Sequence, residues 1–410
     1  MQTSESAVSF NSKKWAFAWY DFANSGFLII FQAFLFPLFF AGVLDKAGFR
    51  GGAWWGWVVA LSVLIAVILG PIIGRLVDRK NKSRIFVLLV ALTFLFALAS
   101  LSTFSNQALW LIVFFVILNT CFELSQTVYD SFLSDIAAGE RQKNSISALA
   151  YGFGYFGGVM ALGLYFILDK FGLDVRQILA ISAVLFLIFS VFPMVIFSRI
   201  EKNKPVVSFL PKVKTFERLG INLKILAIYW IIADVVTAIT FFAALFGERD
   251  LHLSKMTIGY LLILMQILAF PLTILGSKIA NKFGTVRTIR VSLVFWLVGL
   301  VIAFFSREIW HLVISIVIFS FVFGTTQSLL RSNYANRIKS GAGEAFGYFA
   351  LANKSASVLS PALVGLIIAW TGNVRPAFIL LAFLVFVSIY LSKYLGEEKI
   401  KSHRSLICHS

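Results

Sequence analysis

The chain has 410 residues, of which 59% are hydrophobic and only 13% are charged. Its mean hydropathy of +0.88 lies well outside the range of ordinary soluble domains. Membrane spans of about 20 apolar residues joined by short loops account for nearly the whole length, which excludes a sizeable soluble catalytic domain. We therefore expect an all-α polytopic membrane protein.

Long apolar runs bounded by charged residues predict twelve transmembrane helices. In chain order they cover residues 16–43, 54–75, 85–104, 108–130, 146–168, 177–198, 223–247, 257–280, 288–306, 310–331, 345–370 and 376–394. Prolines inside these spans predict bends or local openings of the helices. They are Pro37, Pro71, Pro193, Pro271 and Pro361.

The longest predicted loop falls at the midpoint of the chain and is polar and basic. It predicts an N-terminal six-helix bundle over residues 1–200, a cytoplasmic linker over 201–222, a C-terminal six-helix bundle over 223–395 and a cytoplasmic tail over 396–410. Sparse matches between the halves, such as Gly74 with Gly276 and Gln126 with Gln327, favour a duplication. Transporters built from two parallel repeats bind their substrate at the repeat interface.

The distribution of basic residues predicts the orientation. Of the 36 Lys and Arg residues, 27 fall at the termini or in the loops and span ends on their side, 8 fall in the opposite loops, and Lys354 alone lies well inside a span. The positive-inside rule therefore places both termini in the cytoplasm. The net charge of +17 then reflects topology and does not indicate a nucleic-acid partner. Tryptophans at the outer ends predict an aromatic belt, namely Trp54, Trp55, Trp57, Trp110, Trp310 and Trp370.

The loop after the second helix contains Gly74-Arg75-Leu76-Val77-Asp78-Arg79. It resembles the G-x-L-x-D-R signature of the major facilitator superfamily and lies at the position expected for it. An acid at a helix end can pair with basic neighbours or a facing helix N-terminus and hold one conformation closed. We expect Gly74, Asp78 and Arg79 to form a gate with Asp130 and Arg331; the alternative is a purely topological role for these charges.

A narrower resemblance is carried by scattered segments in both halves. They are Trp19-Tyr20-Asp21-Phe22-Ala23-Asn24, Ser131-Phe132-Leu133-Ser134-Asp135, Gln327-Ser328-Leu329-Leu330-Arg331-Ser332 and Lys354-Ser355-Ala356-Ser357. They are similar to the vacuole-effluxer-like branch of the superfamily, named for a fungal autophagy-related amino-acid exporter and widespread in bacteria. The resemblance implies a twelve-helix major facilitator fold, secondary transport of amino acids and a monomer. We expect a bacterial inner membrane location.

Ionisable residues inside spans are the third signal, because each costs about 2.5 to 3.5 kcal/mol at the bilayer centre. Asn119, Glu123, Gln126 and Asp130 share one helix face. We hypothesise that Glu123 or Asp234 carries a proton, with Lys354 as partner for an anion; a structural ion pair or interhelical packing is the alternative. The candidate substrate-binding or coupling residues are Asp21, Asn24, Asn119, Glu123, Gln126, Asp234, Gln327 and Lys354.

Other functions find little support in the sequence. The four histidines lie in predicted loops, in the tail or, for His311, at the very start of a predicted span, so we expect no metal site, no cofactor and no enzyme activity. A nucleotide-binding phosphate loop is absent from the sequence. We expect a secondary active transporter for an amino acid or related metabolite, coupled to protons and working in export. A drug or lipophile exporter, a channel or scramblase, and a non-transporting receptor remain alternatives.

Overall fold

The computed structural model of the chain describes residues 9–79, 82–137, 140–200, 223–335, 349, 352–353 and 355–396. These residues are almost entirely helical and contain no strand. The helices of the first half are α1 Phe10–Leu28, α2 Leu35–Lys46, α3 Gly51–Arg79, α4 Lys82–Leu101, α5 Ala108–Ile136, α6 Glu140–Lys170 and α7 Val175–Ser198. Those of the second half are α8 Leu223–Arg249, α9 Lys255–Phe283, α10 Thr285–Phe305, α11 Ile309–Ala335, α12 Leu359–Thr371 and α13 Ala377–Leu391.

Eleven helical stretches of the described residues are long and apolar enough to cross a membrane, with Phe10–Lys46 counted as one. The shorter apolar helix α12 occupies the place of the predicted eleventh span. The prediction of an all-α polytopic protein is therefore confirmed. Several helices are longer than predicted; α6, for example, begins at Glu140 rather than at residue 146. The predicted linker, nearly all of the predicted tail and Lys354 lie outside the described residues.

Chain direction alternates from span to span, which gives the bundle two faces. We call the face where α1 begins the terminal face. The opposite face, made by the loops at 47–50, 102–107, 171–174, 250–254, 306–308 and 372–376, is the distal face. Within the first half α1 packs against α6 and α7, and within the second half α11 packs against α9 and α10. The halves meet where α3 packs on α12 and α6 packs on α9.

Two arginines on the distal face occupy equivalent positions in the two halves. Arg176 donates a hydrogen bond of 2.6 Å to the Thr103 carbonyl at the end of α4. Arg375 donates one of 2.5 Å to the Ser306 carbonyl at the end of α10. Each guanidinium also lies over a phenylalanine ring of the first span of its half. Carbonyls at a helix C-terminus lack intrahelical donors, so each arginine satisfies the same need in its own bundle. The correspondence supports two matching halves.

Helix breaks precede two of the five intramembrane prolines. Ile29–Ala33 forms a π-helical segment before Pro37, and Ser357 and Val358 form a turn before Pro361. Proline lacks an N–H and its ring clashes with the carbonyl four residues earlier, which favours a break at that point. By contrast, Pro193 lies inside an uninterrupted helix, so proline alone does not decide where a span opens.

The predicted aromatic belt is wrong at one position. Trp110, Trp310 and Trp370 are 59%, 70% and 76% exposed on the protein surface, as side chains facing lipid or its interface would be. Trp55 is completely buried, and its indole N–H donates a 2.9 Å hydrogen bond to the carbonyl of Phe241 in the other half. Because α3 packs on the second half here, this tryptophan joins the bundles and does not contact the bilayer.

Candidate functional site

An acidic site lies in the first half, where α1 faces α5 and α6. Asp21 and Asn24 are one helical turn apart on α1, and the Asn24 side chain interacts with the Asp21 carboxylate. Asp130 of α5 lies near enough for charge repulsion with Asp21. Asn24 is only 8% exposed, and its Oδ1 has no hydrogen-bond partner among the described residues. The structure thus brings together three residues predicted from the sequence.

Glycines of α6 allow this close approach to α1. A Cβ atom at Gly154 would lie 2.7 Å from Ser25 Oγ and 3.5 Å from Asp21 Oδ2. A Cβ at Gly157 would run into the backbone of Phe22. Any larger side chain would therefore push α6 away, so the glycines set the distance between the two helices.

A buried polar network lies deeper in the first half. Gln32, in the π-helical segment, donates to Asn119 Oδ1 at 2.6 Å, and Asn119 Nδ2 donates to Ser62 Oγ at 2.7 Å. Asn119 is completely buried, and both ends of its amide are engaged. This geometry favours an interhelical packing role for Asn119 over contact with a substrate. Gln32 was not predicted; its signal was a polar residue shortly before Pro37.

The polar face predicted on α5 runs along one uninterrupted helix. Towards the terminal face from Asn119, Glu123 and Gln126 are half-buried and Asp130 is exposed. In the second half, Gln327 of α11 is half-buried and Arg331 is exposed. These side chains become more accessible from the middle of the bundle towards the terminal face.

Asp234 of α8 is held in a different way. It is completely buried, and its carboxylate accepts a 2.9 Å hydrogen bond from the Ser360 backbone N–H and a 2.5 Å bond from the Ser360 hydroxyl. Ser360 lies in the first turn of α12, just after the break, where backbone N–H groups lack partners. Asp234 therefore caps this helix from a neighbouring span, and the structure does not bring it to Asp21.

More side-chain hydrogen bonds join α8 to the chain around this break. A run of three accompanies the Asp234 contact: Tyr229 to Asn353 at 3.1 Å, Trp230 to Ser355 at 3.1 Å, and Thr237 with Ser357 at 3.0 Å. Polar side chains of α8 thus contact residues on both sides of position 354 in the sequence, while Lys354 itself is outside the described residues. Its predicted pairing with an acid stays a prediction.

The predicted gate on the terminal face is only partly described. A Cβ at Gly74 would meet nothing within 4 Å, while the side chains of Asp78 and Arg79 lie outside the described part of the structure. The next basic residue that is described, Lys82, pairs with Asp135 at 2.5 Å and ties the start of α4 to the end of α5. The role of Gly74, Asp78 and Arg79 in gating stays a prediction.

On the distal face the two halves are closed against each other. Asp45 at the end of α2 forms an ion pair with Arg249 at the end of α8 and accepts a 2.8 Å hydrogen bond from the Gly51 N–H. Beneath it, a Cβ on Gly56 would lie 2.8 Å from the Cα of Gly365. Backbones of α3 and α12 therefore touch at a glycine pair. We call Asp45, Arg249, Gly56 and Gly365 the distal seal; none of them was predicted from the sequence.

The described residues offer no group of three His, Cys, Asp or Glu side chains that could hold a metal ion. They do enclose an apolar cavity of about 70 Å³ inside the second half, lined by residues such as Phe242, Leu261, Met265 and Phe319. All of its lining residues belong to the second half.

Similarity to known proteins agrees with this architecture. The sequence profile of the Major Facilitator Superfamily matches residues 22–360 and 225–406. The uncharacterised MFS-type transporter YxiO of Bacillus subtilis is 26% identical over 92% of this chain and 94% of its own length. Autophagy-related protein 22 of Yarrowia lipolytica is 28% identical over 42% of this chain, which spans about a third of that protein (31%).

Solved structures show the same fold. The nucleoside transporter NupG superposes with a TM-score of 0.69 at 14% identity, covering 95% of this chain and all of NupG. A bacterial homologue of the human lysosomal transporter Spinster superposes with a TM-score of 0.64 at 14% identity, covering 96% of this chain and 97% of its own. The resemblance to the vacuole-effluxer-like branch and the predicted fold are thus confirmed. The chain is a multi-pass integral membrane protein that belongs to the Major Facilitator Superfamily of transporters.

Proposed function

We propose that this chain moves an amino acid or a related small metabolite across the membrane by alternating access, as a proton-coupled exporter. The observation that carries the proposal is the distal seal. Backbone contact at Gly56 and Gly365, with the Asp45–Arg249 ion pair above it, closes one end of the interface between the halves. The acidic site lies on the other side of this seal, towards the terminal face.

The basic residues on the terminal side orient the carrier. They support a cytoplasmic terminal face, both termini in the cytoplasm and a distal seal on the outer side. Residence in a bacterial inner membrane, as a monomer, is part of the proposal. In this state cargo from the cytoplasm reaches the acidic site, and opening of the seal releases it outside.

Amino acids are proposed as cargo because of the resemblance to the vacuole-effluxer-like branch. The similarity to autophagy-related protein 22 of Yarrowia lipolytica supports this, although only part of that protein is matched. Acidic and amide side chains at the site suit a zwitterion better than an apolar solute. The apolar cavity favours the alternative, a lipophile exporter, but its lining residues all belong to the second half.

For the coupling proton, the contacts favour Glu123 over Asp234. Both Ser360 groups that bond the Asp234 carboxylate belong to the first turn of α12, so this acid is engaged in holding the end of a helix. Glu123 is half-buried on the polar face of α5, between the network at Asn119 and the acidic site.

Counterflow in proteoliposomes tests the transport proposal. Vesicles loaded with one unlabelled amino acid at a time should accumulate the labelled form, because a carrier exchanges cargo while a channel does not. A panel of lipophilic cations run in parallel tests the alternative. Exchange of the cations with none of the amino acids would overturn amino-acid transport in favour of a lipophile exporter.

A matched pair of glycine variants tests alternating access. Gly56→Ala places a methyl group where α3 touches α12 and should separate the two helices. We therefore expect cysteines introduced on the distal face to react faster with a water-soluble thiol reagent, and counterflow to fall. Gly70→Ala on the same helix has open space around it and serves as the control. Unchanged distal accessibility in Gly56→Ala would contradict a functional seal.

Proton coupling is tested by uptake driven by a pH gradient. Glu123→Gln should abolish the response to the gradient while counterflow persists. Glu308→Gln, an exposed acid on the distal face, is the control for loss of one negative charge. If the gradient response survives in both Glu123→Gln and Asp234→Asn, neither acid carries the proton.

A further inference from the structure

The acidic site has an unusual set of polar groups for the interior of a membrane protein. Asp21 supplies a carboxylate, and the Asp130 carboxylate repels it. No Lys or Arg among the described residues forms an ion pair with Asp21. A carboxylate in such surroundings favours a positively charged partner.

A second observation points in the same direction. The Oδ1 atom of Asn24 is a buried acceptor without a donor among the described residues, and the rest of its amide already interacts with Asp21. Buried amide oxygens are nearly always hydrogen-bonded, so this atom identifies a place where a donor is needed. Ser25 adds a hydroxyl on the same face of α1, beside Gly154.

These groups are acceptors arranged within one turn of a single helix. A primary ammonium group carries three N–H donors and a positive charge, so it can bond a carboxylate, an amide oxygen and a hydroxyl at once. From this geometry we infer that Asp21 and Asn24 form an ammonium-binding subsite, and that the cargo carries a primary ammonium group. The inference rests on the proposed function and narrows its substrate class.

The subsite lies where α1 passes close to a glycine of α6. Gly154 presents no side chain of its own to the Asp21 carboxylate, and Asp21 itself is half-buried. The subsite lies on the terminal side of the distal seal.

Binding to the purified full-length protein tests the subsite. The probes are the standard amino acids, their N-acetyl derivatives and n-butylamine, with thermal shift as the screen and calorimetry for affinity. We expect free amino acids and n-butylamine to bind and the N-acetyl forms to fail, because acetylation removes the charge and two donors. Asp21→Asn and Asn24→Leu should each weaken binding by about tenfold or more.

Asp169→Asn, at an exposed site near the distal face, controls for the loss of a negative charge and should bind normally. The wild-type comparison of free and acetylated probes remains decisive if a variant does not fold. Equal affinity for both forms would overturn the subsite and leave amino-acid transport standing. Binding of n-butylamine without any amino acid would keep the subsite and overturn the proposed cargo, and binding of neither would overturn both.

Discussion

The two halves of the molecule hold their intramembrane acids in opposite ways. Asp234 in the second half is completely buried and accepts two hydrogen bonds from Ser360. Through these bonds it caps α12, the helix that follows the break. Asp21 in the first half is half-buried, faces Asp130 and lies beside the unpaired Oδ1 of Asn24. The first acid is engaged by a neighbouring helix, and the second is the one that we propose binds a ligand, so the two halves differ in how they hold their intramembrane acids.

The two halves also differ in how their equivalent helix pairs pack, α3 with α5 in the first half and α9 with α11 in the second. The α3–α5 contact in the first half uses hydrogen bonds between side chains, through Asn119 and Ser62. The α9–α11 contact in the second half relies on small residues, with Gly276 against Thr325 and Gly324 against Thr273. The same helix pair is therefore stabilised by hydrogen bonds between side chains in the first half and by close steric fit in the second half.

The largest expected effect on stability distinguishes Asp234 from Asp21. Asp234→Ala should destabilise the protein by about 3 kcal/mol, because it leaves a buried N–H and hydroxyl of Ser360 unpaired. Asp21→Ala should change stability little, since it removes a repelled carboxylate that has no ion pair among the described residues. Unfolding of the detergent-solubilised protein measures both. Equal losses would remove the distinction between the halves.

The polar network gives the next effect. Asn119→Leu should cost about 2 kcal/mol, because Gln32 and Ser62 both lose a buried partner. Ser320, at the equivalent place on α11, makes a 3.4 Å contact with the Met265 carbonyl, and Ser320→Ala should cost less than about 1 kcal/mol. A larger loss for the serine variant would show that the second half depends on polar pairing as well.

Glycines at equivalent positions test the steric half of the comparison. Gly276→Ala would place a methyl group against the stiff, β-branched Thr325 and should cost about 1 to 2 kcal/mol. Gly74→Ala meets open space and should be neutral or gain up to about 1 kcal/mol from helix propensity. The same unfolding assay compares the pair, and a clear loss from Gly74→Ala would point to a packing contact there.

The smallest effect on stability is expected where the halves meet. Asp45→Asn removes a partly exposed ion pair with Arg249 and should cost less than about 1 kcal/mol. The variant should change the conformation more than the stability, measured as faster labelling of cysteines introduced on the distal face. Asp169→Asn, also on the distal face, should leave that accessibility unchanged, and an identical response from both variants would argue against a specific role for the ion pair.

Much of this molecule follows from its sequence. Apolar runs predict the spans because the hydrocarbon core sets their length, and the polar face of α5 follows from helical spacing once Asn119, Glu123, Gln126 and Asp130 are seen in register. The cost of burying a charge predicts Asp21 as a site residue, and a polar side chain inside a span predicts Asn24. Prolines predict openings, yet only Pro37 and Pro361 have a break directly before them, because neighbouring side chains decide where a freed backbone group finds a partner.

What the sequence could not decide is which distant residues meet. The partner of Asp234 is Ser360, 126 positions away. Trp55 was predicted to lie in the aromatic belt, but it is hydrogen-bonded to the Phe241 carbonyl of the other half. Composition, span number and charge asymmetry are determined by the bilayer, which acts on each segment separately. The acidic site, the capped break and the distal seal depend on how separate spans pack, so only the tertiary structure decides them.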